Sequence, residues 1–136
     1  MDPRSRAVVA SVVDLALVAL FVVIGRASHG EDEGEFVVTF WPFLVGLVVG
    51  WIGARGWRRP FSISRTGLPV WIGTVLIGML LRAASGQGVQ IAFVVVATIV
   101  VGAFVLGWRV LLAALDRSAS RGRDNPGPIG FFIRRR

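Results

Sequence analysis

The 136-residue sequence contains no cysteine and only one histidine, His29. Disulfide frameworks and thiolate chemistry are therefore excluded, and zinc, haem or iron–sulfur sites built from one chain's Cys and His fall with them. Charge is also scarce, at 17% of residues against 54% hydrophobic, where a soluble domain carries about a quarter. With no lysine, all 15 basic residues are arginines, set against 8 acids for a net charge of +7. These arginines cluster in the short segments between apolar runs, which bears on membrane orientation and gives no reason to expect nucleic-acid binding. Catalytic motifs are missing too. Gly25-Arg26-Ala27-Ser28-His29-Gly30 lacks Gly-x-Ser-x-Gly spacing, Gly86-Gln87-Gly88 lacks the third glycine of a dinucleotide loop, and no span pairs its carboxylates for a metal. The expectation is a membrane protein without a catalytic site, metal or cofactor.

What is present is apolar sequence in long runs. Residues 7–25, 36–54, 68–84 and 90–114 are four stretches near or above the ~20 residues that cross a bilayer as a helix. Their length and lack of strict alternation favour helices over strands. Thr66 is placed to cap the third span, and Pro69 sits in its first turn, where a missing N–H costs nothing. The first span is too long for a secretory leader's apolar core and is interrupted by Asp14, so it is expected to stay in the protein. The predicted fold is an all-α, four-transmembrane-helix up-down bundle. It occupies residues 7–115, between a short segment 1–6 and an arginine-rich tail 116–136 expected to be disordered. The tail's closing Ile129-Gly130-Phe131-Phe132-Ile133 beside three arginines suits either adsorption to an anionic leaflet or a free tail.

Orientation follows from the loops. Arg4 and Arg6, then Arg55, Arg58, Arg59 and Arg65, then Arg117, Arg121, Arg123 and Arg134 to Arg136 fall on one side, with only Arg26 and Arg82 on the other. The positive-inside rule places both termini in the cytoplasm. Trp57, Trp71 and Trp108 would lie near the inner interface and Trp41 near the outer one. The arginine-only, Ala-, Val- and Gly-rich composition suits a GC-rich genome and hence a bacterial plasma membrane.

Each span carries a stripe of small or polar residues at helical spacing. These are Ala10 and Asp14; Thr39, Phe43, Gly46, Gly50 and Ala54; Trp71, Thr74, Gly78 and Arg82; and Thr98, Gly102, Val105 and Arg109. Gly46, Gly50, Gly78 and Gly102 read as helix-packing positions, because small residues let helix backbones approach in lipid. Asp14 and Arg109 lie at similar depth from the cytoplasmic side, so they form a possible intramembrane ion pair. A lone Asp at the bilayer centre costs ~2.5–3.5 kcal/mol on insertion scales. The alternatives are a hydrogen bond from Asp14 to another helix and snorkelling of Arg109 to the headgroups. At the outer mouth Arg26, His29, Thr39 and Arg82 form a second polar cluster, suited to an anion or else neutralised by the acids at 31–35. Arg26-Ala27-Ser28-His29-Gly30 after the first span and Arg82-Ala83-Ala84-Ser85-Gly86 after the third give a faint repeat.

Several short motifs also carry a resemblance. They are Gly25-Arg26 with His29, Pro42-Phe43, Trp71 with Gly78 to Arg82, Phe93-Val94-Val95-Val96-Ala97, and Gly107-Trp108-Arg109. Over about residues 8–115 the chain resembles a family of small prokaryotic membrane proteins of unknown function, with four predicted helices, from actinobacteria and haloarchaea. That resemblance implies the four-helix architecture and no activity. Two readings of function follow from the residues. The first is a small transporter or channel, as a homo-oligomer, whose pathway is lined by Asp14, Arg109, Arg26 and Arg82. The second is a structural or accessory subunit that docks another membrane protein through its glycine seams and tail.

Overall fold

Asp2 begins the first helix. Its carboxylate accepts the Ser5 amide at 2.7 Å, satisfying one of the donors that a helix start leaves open, and hydrogen bonding from the Ser5 side chain and then its amide holds the Asp2 carboxyl below its usual value of 3.8. A computed structural model describes residues 1–29 and 35–123. It contains helices α1 (Pro3–His29), α2 (Phe36–Ala54), α3 (Leu68–Ala84) and α4 (Ile91–Arg123), with no strand among the described residues. Four helices are long and apolar enough to cross a membrane. The chain is an all-α membrane protein built as the four-helix up-down bundle that its hydropathy predicts.

The limits of α1 and α4 differ from the sequence reading, while those of α2 and α3 agree with it. Both ends of α1 reach beyond residues 7–25; the Asp2 cap accounts for the earlier start, ahead of the apolar run. The π-helical turn Ile63–Gly67 leads into α3, and it is capped by Ser62, whose hydroxyl accepts the Arg65 amide. Thr66 does not cap α3; its hydroxyl donates instead to the Arg59 carbonyl at 2.7 Å. Pro69 is in the first turn as expected. At the other end α4 runs through Arg123, so residues 116–123 continue a helix where a disordered tail was expected. Extending a nucleated helix is cheap, and neither glycine nor proline occurs between Trp108 and Arg121. The remainder of the tail, 124–136, lies outside the described residues.

Each helix packs on its sequence neighbours, α1 closes against α4, and the α2–α3 pairing is the most extensive. That pairing is possible because glycine faces glycine. A Cβ on Gly46 would stand 2.6 Å from the Gly73 carbonyl oxygen, and one on Gly50 would stand 2.8 Å from the Val70 Cα. Gly78 makes room for the Phe43 ring and Gly102 for the Trp71 indole, so all four predicted glycines pack helices within the chain. The core consists of Val18, Phe21, Val22, Phe43, Leu47, Val70, Met79, Ala97, Val101 and Val105. Residues 55–67 and the start of α1 share one end of the bundle, called here the Pro60 end. The α3–α4 connection, where Gly86 and Gly88 adopt φ of +76°, marks the opposite end.

Candidate functional site: an enclosed ion pair and a flanking cavity

One helical turn separates Ala10 from Asp14 on the inner face of α1, and both are fully buried. The corresponding residue on α4 is Arg109, also fully buried. The two meet in a bidentate pair: Nη1 donates to Oδ1 and Nη2 to Oδ2, each at 2.7 Å. Of the sequence alternatives, pairing and hydrogen bonding of Asp14 to other helices occur together, and snorkelling of Arg109 does not.

The pair is enclosed by further donors and acceptors. Trp51 on α2 donates its indole N–H to Oδ2 at 3.0 Å, and Trp108 on α4 donates to Oδ1 at 2.9 Å. The Asp14 carboxylate thus accepts four hydrogen bonds, about the capacity of its lone pairs. On the other side Arg109 donates from Nε to the Pro60 carbonyl at 3.1 Å and from Nη1 to the Val105 carbonyl at 2.8 Å. Its guanidinium also lies 4.4 Å from the centre of the Trp108 ring, a favourable cation–π arrangement. A buried ion pair repays its desolvation only with this kind of geometry and additional hydrogen bonding. The constellation fastens α1, α2, α4 and the α2–α3 connection at one point.

Seven residues further along α1, the Phe21 ring meets Phe43 of α2 edge-on at 5.5 Å and Phe93 of α4 at 6.3 Å. This aromatic layer separates the ion pair from a cavity of about 550 Å³ at the opposite end. Arg26, Thr39 and Arg82 all line that cavity, so the structure brings together three of the four residues in the predicted outer cluster. The fourth, His29, has a side chain outside the described residues, as are the acids Glu31, Asp32 and Glu33. Arg26, only 6% exposed, donates to the Thr39 hydroxyl at 2.8 Å. Arg82 donates to Gln87 at 3.0 Å, and its guanidinium lies 4.7 Å from the centre of the Phe93 ring. Both arginines hold further partners as well.

The sequence reading passed over Trp51 as a ligand of Asp14 and placed Trp108 at the membrane interface. A usable signal was present. Phe36-Val37-Val38 precedes Gly50-Trp51 at the same spacing at which Phe93-Val94-Val95 precedes Gly107-Trp108, so the two donors occupy equivalent places in α2 and α4. Trp71 likewise points inward, its indole N–H bonded to the Thr98 carbonyl at 2.9 Å. The Pro60 carbonyl carries no signature in sequence.

This buried pair, the glycine-seamed α2–α3 hairpin and the motifs on α4 all fall within residues 11–112, which match the family model described as Protein of unknown function (DUF3054). The chain belongs to that family. No curated protein and no solved structure matches it. Membership in DUF3054 carries a label without an activity, and the chemistry must be read from the two sites. Among the described residues, neither site joins a nucleophile to a base. One holds paired charge away from water, and the other sets two arginines, each with further partners, at the edge of an apolar cavity.

Proposed function

We propose that this DUF3054 protein is a small non-enzymatic transporter of the bacterial plasma membrane, with both termini in the cytoplasm and the cavity facing outward. The observation that carries the reading is the asymmetry of the bundle. One half is open to about 550 Å³ of space; the other is shut by a fully buried ion pair. In this reading the cavity receives the solute, while the Asp14–Arg109 pair with its two indoles is the inner closure. Opening the inner side parts α1 from α4 at that pair. The phenylalanine layer bars a continuous polar path in this state, which favours alternating access over an open channel. Each chain supplies its own cavity and closure, and self-association would set copies side by side. The four predicted packing glycines are already used inside the chain, which weakens the case for them as a docking face in an accessory subunit.

The absence of cysteine makes the reading directly testable by thiol accessibility. In cells, a single cysteine at Thr39 is expected to react with a membrane-impermeant maleimide added outside. A single cysteine at Ala10, which is fully buried, should be silent from both sides in the parent protein and become reactive from the cytoplasmic side in Asp14→Asn. If Ala10→Cys stays silent from both faces with the closure weakened, alternating access is wrong.

A further inference from the structure

We propose that the cavity takes an anionic amphiphile directly from the surrounding lipid leaflet. Its phosphate or carboxylate head would lie beside Arg26 and Arg82, and its acyl chain along Phe21, Phe93, Val96 and Val100. That this ligand is cargo rests on the transport reading; that it binds does not.

The first support is where the cavity opens. Asp14 and Arg109 join α1 and α4 in the Pro60 half, and past the phenylalanine layer residues of both helices line the cavity. Ile24 of α1 and Val96 of α4 both line the cavity, yet they are 48% and 53% exposed on the flank of the bundle. A wall residue that is also exposed on the flank marks a lateral mouth, and in a membrane that flank meets acyl chains. The second support is polarity along the cavity. Arg26, Thr39, Arg82 and Gln87 gather towards the helix ends, whereas the depth is aromatic and aliphatic. This gradient matches an amphiphile held parallel to the helices. Planar guanidinium groups suit phosphate or carboxylate oxygens, and the volume lies within the ~300–1,000 Å³ of ligand-sized pockets. A free inorganic anion has nothing to set against the apolar depth.

Native mass spectrometry tests the proposal on the full-length protein. The protein is delipidated in mild detergent and then offered equal amounts of phosphatidylglycerol and phosphatidylcholine with matched chains; a parallel sample receives inorganic phosphate alone. One retained phosphatidylglycerol is expected, favoured about tenfold over phosphatidylcholine, with no retained phosphate. A Cβ on Gly25, which also lines the cavity, meets nothing within 4 Å. Gly25→Leu therefore fills the space without backbone strain and should abolish retention while leaving the unfolding temperature unchanged. Arg82→Gln should reduce the headgroup preference and leave acyl binding in place.

Equal retention of both lipids overturns the anionic head, and retention undiminished in Gly25→Leu overturns the cavity as the site. Binding of phosphate alone overturns the lipid source. None of these readouts involves flux, so a bound lipid with a silent Ala10→Cys would sink transport and leave the site standing. A reactive Ala10→Cys with no selective lipid would do the reverse.

Discussion

At the Pro60 half of the bundle one carboxylate and one guanidinium neutralise each other with every carboxylate lone pair occupied, whereas at the other half two guanidinium groups line open space. Both halves bury arginine, yet the Asp14–Arg109 pair ties three helices and a connection together while Arg26 and Arg82 edge a cavity. The contrast shows that buried charge in a membrane protein has no single meaning. In one half the charge fastens helices to one another, and in the other it edges a cavity while keeping partners of its own.

The sharpest way to break this comparison is to remove one member of the pair. Asp14→Leu strands a buried guanidinium and should cost roughly 3–5 kcal/mol, read as a large fall in the unfolding temperature in mild detergent. Adding Arg109→Met removes the stranded charge, so the double variant should be more stable than Asp14→Leu alone. Additive losses would show that the pair is not the fastening point. Next in size are the indoles. Trp51→Phe and Trp108→Phe each delete one hydrogen bond to a charged acceptor, an effect of roughly 1.5–3 kcal/mol. Trp108→Phe should be the more damaging, since Trp108 also stacks on Arg109; the reverse ranking would separate the cation–π contact from closure. At the cavity half the expected effect is far smaller. Gly25→Leu should shift stability by within about ±0.5 kcal/mol, and a large loss there would mean that the cavity is not open space.

The smallest effect is at the start of α1. Because the Ser5 hydrogen bonds lower the Asp2 carboxyl from 3.8, the cap's contribution is complete above that value and fades as pH falls through the lower folded value. The Ser5 amide chemical shift should titrate there, with no change between pH 5 and 8.

The centres of the stripes were legible, while Thr39, Ala54, Trp71, Arg82 and Thr98 are only half-buried. Ala10, Asp14, Phe43, Gly46, Gly50, Thr74, Gly78, Gly102, Val105 and Arg109 all turn inward, because helical periodicity and the cost of polar groups in lipid act on each helix separately. Depth matching also joined Asp14 to Arg109 before any contact was known. The indole donors were harder to see, because a tryptophan near a span's end has an equally good interfacial reading, and only the repeated Gly-Trp spacing separates the two. Thr66 was misread because a hydroxyl before a proline resembles a cap, while the bond it makes depends on how residues 59–67 fold back. Three residues of the cavity's polar edge were read from sequence but its apolar body was not, since its walls come from all four helices of the assembled bundle.

The length of α4 has a mechanical consequence. Its 33 residues span roughly 50 Å at ~1.5 Å per residue, against ~30 Å of hydrocarbon, so the helix is a rod that outreaches the bilayer. With its fulcrum where Trp71 seats on Gly102, a tilt of roughly 10° would swing the backbone at Arg123 by roughly 5 Å, taking ~1.5 Å of rise per residue. Any motion that frees Arg109 is thereby amplified beyond the membrane, where a lever of charged residues makes it detectable from outside the bundle.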